Sequence, residues 1–525
     1  MSQSKIITAA PAFHHGASRR IFLRQASALS LVAGAGAPIA LNLLGAGSAV
    51  AQSASDYRAV VCLFMNGGND GYNMVLPTDA QSWSAYTAVR NQAPDSIALL
   101  SAGVAPNSSA GAGSPERLGG VLPITPANAQ GRTYALHPMM GTLQTMFNID
   151  KRLAIIPAIG PLVVPTTKAQ FALPSYPRPG RLASHNDQQI SWMAMANEGA
   201  TSGWGGRMAD KLVAGNANAV FTAISVAGNE VWLSGETVRQ YRVGTGGAVR
   251  LGVDANDEVY KSSSISAALQ RISSNSRGSH VFEADIAAIA KRSIEAEAVL
   301  RTALPLASDS AFGTPSASGS YAPENDPKLQ IVDPIKGDVL LNPLAHQLQM
   351  VARLVQAGMS GKTGVKRQVF FVNMGGFDTH SNQNSTHTSL MAQLAHGMRY
   401  FDTALGNINA LNQVTTFTAS DFGRTFTSNG DGTDHGWGSH HFVMGGAVRG
   451  GNLYGTFPAP YATNANFRNH PDHLGSNGAL LPTTSVDQLG ATLARWFGLS
   501  NAQSLEVFPN LGSFDASVRN LGFLS

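Results

Sequence analysis

The chain has 525 residues, 43% hydrophobic and 13% charged, with 36 Lys+Arg against 32 Asp+Glu and one cysteine, Cys62. The basic excess is carried entirely by Lys5, Arg19, Arg20 and Arg24 in the first 51 residues, so the remainder is formally neutral and offers no basic surface for nucleic acid. A single cysteine excludes an internal disulfide, and a chain of this length buries a core without one.

The N-terminus reads as an address. "SRRIFLR" (Ser18–Arg24) sets two arginines before Ile-Phe-Leu, an Ala/Gly-rich run follows to about Leu44, and "AVA" at Ala49–Ala51 is a small-x-small cleavage site. This is the pattern of a twin-arginine export signal. Pro38, Asn42 and several glycines interrupt the run, so it lacks the roughly 20 apolar residues of a spanning helix. The expectation is a signal over 1–51 and a mature domain over 52–525. That domain is periplasmic or secreted, delivered by the twin-arginine export machinery, and has no stable membrane span. The route carries folded proteins, often with a cofactor already loaded, which is a first hint of a metal.

Arg58–Met65 is a short apolar, β-branched run that stops at a Gly-Gly turn, the signature of a buried strand. Ser101–Gly131 is rich in Ser, Gly, Ala and Pro and reads as an insertion. A second strand is expected in Lys151–Gly160, and a helix from His185 to about Asn197. A cap or subdomain is expected near 204–335, with a long helix near Val281–Leu304 and a low-complexity loop over Ala307–Pro327. Leu341, Leu344, Leu348, Val351 and Val355 form a helical stripe, as do Leu390, Leu394, Met398, Phe401 and Leu405. Further strands are expected in Arg367–His380, Gln413–Thr425 and His440–Gly451, and a last helix over Val486–Gly498. Strands alternating with helices predict an α/β fold, a central mostly parallel sheet covered on both faces, with ligands at the carboxyl ends of its strands.

The polar clusters follow those ends. In "NGGNDG", Asp70 reads either as a cation ligand or as turn chemistry. In "GGFDTHSNQ", Asp378 and His380 share one side of an extended chain, to hold one ion or to brace a turn. In "ASDFGRT", Asp421 and Arg424 suit metal and anion, or a mutual salt bridge. "DHGWGSHH" places His435, His440 and His441 within seven residues, a density that favours ligation. Only one of His440 and His441 can face a site if they begin a strand. In "ASHNDQQISW", Ser184 is either a nucleophile in the field of a helix N-terminus or an N-cap with Asp187 as its partner. Cys62, in an apolar run, reads as core.

The ordered set "LFMNGGNDGYNMVLP", "LHPMM", "ASHNDQQISWM", "GFDTHSNQ", "DFGRT…DHGWGSHHFVMGGAVRGG" and "DQLGATLARWFGLS…VFPNLGSF" resembles the bacterial domain of unknown function 1501. That family is grouped by similarity with the alkaline phosphatase and sulfatase superfamily. The resemblance implies a three-layer α/β sandwich of alkaline phosphatase type. It also implies that Asp70, Asp378, His380, Asp421 and His435 or His440 hold a divalent cation (zinc, calcium, manganese or magnesium), with Ser184 as nucleophile. Phe422 follows Asp421 where phosphatases of this type often carry His, which counts against two metals. The Cys-x-Pro-x-Arg motif of sulfatases is missing, which counts against formylglycine chemistry.

Two functions are therefore expected. One is an exported metal-dependent hydrolase of phosphate or sulfate esters, acting on an anionic small-molecule or carbohydrate ester, with Arg424 steadying the transition state. The other is a non-catalytic exported binding protein that retains the fold.

Overall fold

A computed structural model describes residues 56–248, 258–275, 281–316, 319–459 and 467–524; the expected export signal lies outside them. Nine strands form the central sheet: β1 (Arg58–Met65), β2 (Leu153–Gly160), β3 (Ala223–Ser225), β4 (Tyr241–Gly244), β5 (Gly247–Ala248), β6 (Arg367–Met374), β7 (Val414–Ser420), β8 (Ser439–Met444) and β9 (Thr484–Ser485). Their spatial order is β9-β2-β8-β7-β1-β6-β3-β4-β5. All run parallel except β5 and β8.

The centre of the sheet explains the continuous apolar run of β1. Ala59, Val61, Leu63 and Met65 enter one core cluster, and Val60, Cys62 and Phe64 enter the cluster on the other face. A strand covered on both sides has no polar face, so its sequence shows no alternation. The helices include α1 (Ala80–Arg90), α2 (His185–Ala194), α3 (Val281–Ala303), α4 (Pro343–Met359), α5 (Gln383–Asn407) and α6 (Val486–Phe497). Leu348 and Val351 of α4 and Leu394 and Phe401 of α5 join the first cluster, and Leu489 and Leu493 of α6 join the second. Local signals set their ends. Asn342 caps α4 through the Leu344 and Ala345 amides, with Pro343 in the first turn. Ser485 and Gln488 form a capping box on α6, and Gly498 ends it at φ +124°.

The structure adds three details. The strand expected at 440–451 is β8, and it runs antiparallel to both neighbours. Residues 421–438 join it to β7 without a crossover helix, and a parallel return requires one. Within the stretch 101–131, Leu122–Ile124 pairs with Tyr134–Leu136, which also pairs with Val75–Pro77. The region 204–335 is not separate from the sheet, since it supplies β3, β4 and β5. Among the described residues, no helix is long and apolar enough to cross a membrane.

Candidate metal centre

In the register of the parallel core, Met65 lies opposite both Met374 and Ser420, so β1, β6 and β7 end at one level. The loops beyond them meet there. Gly67 (φ +115°) must be glycine, because a Cβ would stand 2.4 Å from the Asp378 amide nitrogen; at Gly68 (φ +87°) it would stand 2.3 Å from the Phe422 ring. Because β8 is antiparallel, it starts at this same rim and brings the residues before it, including His435.

His185, Asp378 and His435 converge, with one ligand atom of each within 4.8 Å of the others. Asp378 Oδ2 lies 3.5 Å from His185 Nε2, and Asp378 Oδ1 lies 3.1 Å from His435 Nε2. The other nitrogen of each ring is occupied. His185 Nδ1 meets Asp421 Oδ2 at 2.7 Å, and His435 Nδ1 meets the Ala183 carbonyl at 2.8 Å. Both partners are acceptors, so each Nδ1 carries a proton and each ring turns its Nε2 toward Asp378. At these distances the contact is favourable when a positive charge lies between nitrogen and carboxylate, either a proton on Nε2 or a cation shared by all three groups. Imidazoles held through Nδ1 by a carboxylate or carbonyl are also what metal-ligating histidines show. The donor set therefore fits a divalent cation. His380 stands at the open side, its Nε2 2.9 Å from His435 Nε2 and 3.2 Å from Asp378, and its Nδ1 3.4 Å from Asp434.

Electrostatics support Asp378 as the anionic member. Burial raises its carboxyl pKa, but Arg424, His435 and His380 beside it more than offset this and hold it below the usual range. Its side chain is still 42% exposed, so the centre is open to solvent. Burial leaves Asp421 raised overall, although its bond to His185 works the other way. The Phe422 ring lies 4.8 Å from that of His185 and 4.5 Å from that of His435, an apolar wall fixing both planes.

The remaining expected residues lie elsewhere or act indirectly. Asp70 is wholly buried. It caps the short helix Gly71–Met74 through the Tyr72 amide and is held by Arg90 at 2.6 Å and by Gln383 Nε2 at 2.6 Å. With both oxygens committed, it reaches the centre only through Gln383, Thr433 and Arg424. Arg424 is fully buried and spends its donors on Asp378, Gly67 and Thr433; it anchors a ligand and cannot touch a substrate. Asp421 orients His185. His440 is buried, accepts the Ala158 amide at 3.1 Å and stacks on Phe457, with burial pushing its pKa down to about 3. His441 pairs with Thr418, so neither of the adjacent histidines faces the centre. Ser184 sits at the N-cap position of α2 without a side-chain capping bond, and its hydroxyl donates to Asp187 at 2.7 Å.

Two residues escaped the sequence reading. His185 sits beside Ser184 at an expected helix start, and that position was its one available signal. Arg90 is a single cation in an amphipathic helix, with nothing to mark it.

Glu230 follows β3. Burial, and then the charge of Asp421, push its carboxyl up to about 7. A raised folded pKa means that the native state binds a proton the unfolded chain releases. This group's contribution to stability therefore falls as pH rises from about 4.3 to 7. Glu230→Gln is expected to flatten that part of the Tm-against-pH curve and to raise Tm above pH 7. An unchanged curve would contradict the assignment.

Residues 57–508 match the family model described as "Protein of unknown function (DUF1501)". No curated protein matches the chain.

Proposed function

The chain belongs to the DUF1501 family, and we propose that it is an exported, metal-dependent hydrolase of phosphate or sulfate esters. The reading places it in the periplasm or outside the cell after twin-arginine export, on an alkaline-phosphatase-like three-layer frame. One observation carries it: two imidazole nitrogens with their proton positions set, and one carboxylate, converge at a solvent-open point where three strand ends meet. Three protein donors with an open position characterise catalytic rather than structural sites. Two imidazole donors favour zinc over calcium, magnesium and manganese, which suit oxygen donors. When bound, the cation supplies Lewis acidity and an acidified water.

The chain's own residues do the rest. Arg424 fixes the Asp378 carboxylate, Asp421 fixes the His185 ring, and the Ala183 carbonyl fixes the His435 ring. The first amides of α2, not capped by Ser184, suit an anionic ester group. Ser184 stands between the two residues that touch the centre, and its hydroxyl proton already points at Asp187. In the proposed reaction Ser184 Oγ bonds to the phosphorus or sulfur as the bond to the ester oxygen breaks, and Asp187 takes the Ser184 proton and passes it to the departing oxygen; water then attacks the seryl ester, loses its proton through Asp187 to Ser184 Oγ, and frees phosphate or sulfate.

Equilibrium dialysis of the mature protein against each cation, followed by turnover of 4-nitrophenyl phosphate and sulfate, tests this. Wild type is expected to retain one cation per chain, and Asp421→Asn to weaken it by about 10–100-fold, the usual effect of losing a ligand's orienting partner. A wild-type protein that retains no divalent cation would end the proposal. The second reading, a non-catalytic binding protein, draws on Phe422, which closes with hydrocarbon the side where a further ligand would stand. Retention of a cation with no turnover of either ester would favour it.

A further inference from the structure

The later turns of α5 border a separate cavity, away from the residues of the metal centre. From Ala392 to Asn407 the helix forms one wall, and residues 328–334 form the other, around a groove of about 400 Å3. Small-molecule sites span about 300–1,000 Å3. The helix presents Ala395 and Ala404 to the groove, and the opposite wall is Ile331 and Val332. Val332 is 59% exposed, and aliphatic surface left in water costs about 25 cal/mol per Å2 until something covers it.

Charge decides what covers it. Lys328, His396 and Arg399 line the groove, and no acidic residue does. Arg399 is balanced from outside the groove, by Asp150 at 2.6 Å and Asp402 at 3.5 Å. Lys328 is exposed, donates from Nζ to the Ser310 carbonyl at 2.6 Å, and makes no ion pair among the described residues. An aliphatic channel beside one unbalanced ammonium complements a molecule with an apolar body and an anionic end.

We propose that this groove binds an amphiphilic organic anion, an alkyl chain ending in a carboxylate. The chain lies between α5 and Ile331 and Val332, and the head group meets Lys328. Burial of methylenes supplies the driving force, and the ammonium selects the head.

Calorimetric titration of the mature protein with decanoate, decanol and decylamine tests the proposal. Decanoate is expected to bind saturably, one per chain, and at least about ten-fold more tightly than the other two, a difference of about 1.4 kcal/mol. Lys328→Glu is expected to weaken decanoate by about ten-fold or more and to favour decylamine. Val332→Asp is expected to abolish decanoate binding. Both positions are exposed, so folding is not at stake, and melting curves confirm it. Absence of saturable decanoate binding, equal binding of all three compounds, or an unchanged affinity in Lys328→Glu would overturn the proposal.

Discussion

Arg90→Met lowers the free energy of unfolding by about 3–5 kcal/mol, the cost of removing one partner of a buried ion pair. Arg90 and Asp70 are both completely buried, 2.6 Å apart. Arg90 also donates to Asn73 Oδ1, the Thr425 carbonyl and the Phe426 carbonyl, and its guanidinium lies over the rings of Tyr72 and Phe426, 5.2 Å from each centroid. Methionine keeps most of the stem and none of the charge, leaving Asp70 ionised in the interior. The pH dependence should invert. Burial raises the Asp70 carboxyl in wild type, but Arg90 more than offsets this and lowers it overall. That stability is present above about pH 4 and is lost as pH falls through the folded pKa. In Arg90→Met the bonds from Gln383 and the Tyr72 amide remain but the guanidinium is gone, so burial dominates and stability rises as pH falls and Asp70 takes a proton. Urea unfolding at pH 7 and pH 4.5 measures both effects. Asp70→Asn combined with Arg90→Met should recover part of the loss, because no charge is left unpaired. A loss below about 1 kcal/mol would mean that water reaches the pair.

Asp378→Asn is expected to remove the proposed cation binding, an effect beyond the roughly 10–100-fold expected for an orienting partner. Asp378 is the carboxylate of the converging group, with Oδ2 toward His185 and Oδ1 toward His435 and His380. Asparagine preserves an acceptor for Arg424, so the frame stays intact. At a free cation concentration 100 times Kd, wild type gains about 2.7 kcal/mol of stability, and the variant should gain none. Melting curves with and without cation read this directly. Asp70→Asn is the contrast, expected to destabilise the fold while leaving cation affinity unchanged. The reverse pattern would move Asp70 into the coordination sphere and Asp378 out of it.

These contrasts trace what a linear chain discloses. The strands around β1 were legible because a strand buried on both faces must be apolar throughout, and the stripes of α4 and α5 because a helix on a sheet must be apolar on one side. The direction of β8 was not legible, since residue type does not encode polarity of travel; only the missing crossover helix after β7 could have indicated it. "NGGNDG" marked a turn and a carboxylate equally well, and the structure puts Asp70 in a helix cap with a cation 20 residues onward. Ion pairs leave no period in a sequence. His435 stood out through clustering, but His440 and His441 clustered because they open a buried strand. His185 stayed hidden because the group that orients it, Asp421, lies 236 residues away.

The reversed course of β8 has a further consequence. Residues 421–438 leave the carboxyl end of β7 and return at the same rim to begin β8. They carry Asp421, Phe422, Arg424 and His435 as one uninterrupted cassette. Exchange of that cassette between relatives would swap a large part of the pocket at a stroke, together with Phe426 and Trp437, which it lends to the hydrophobic clusters beneath.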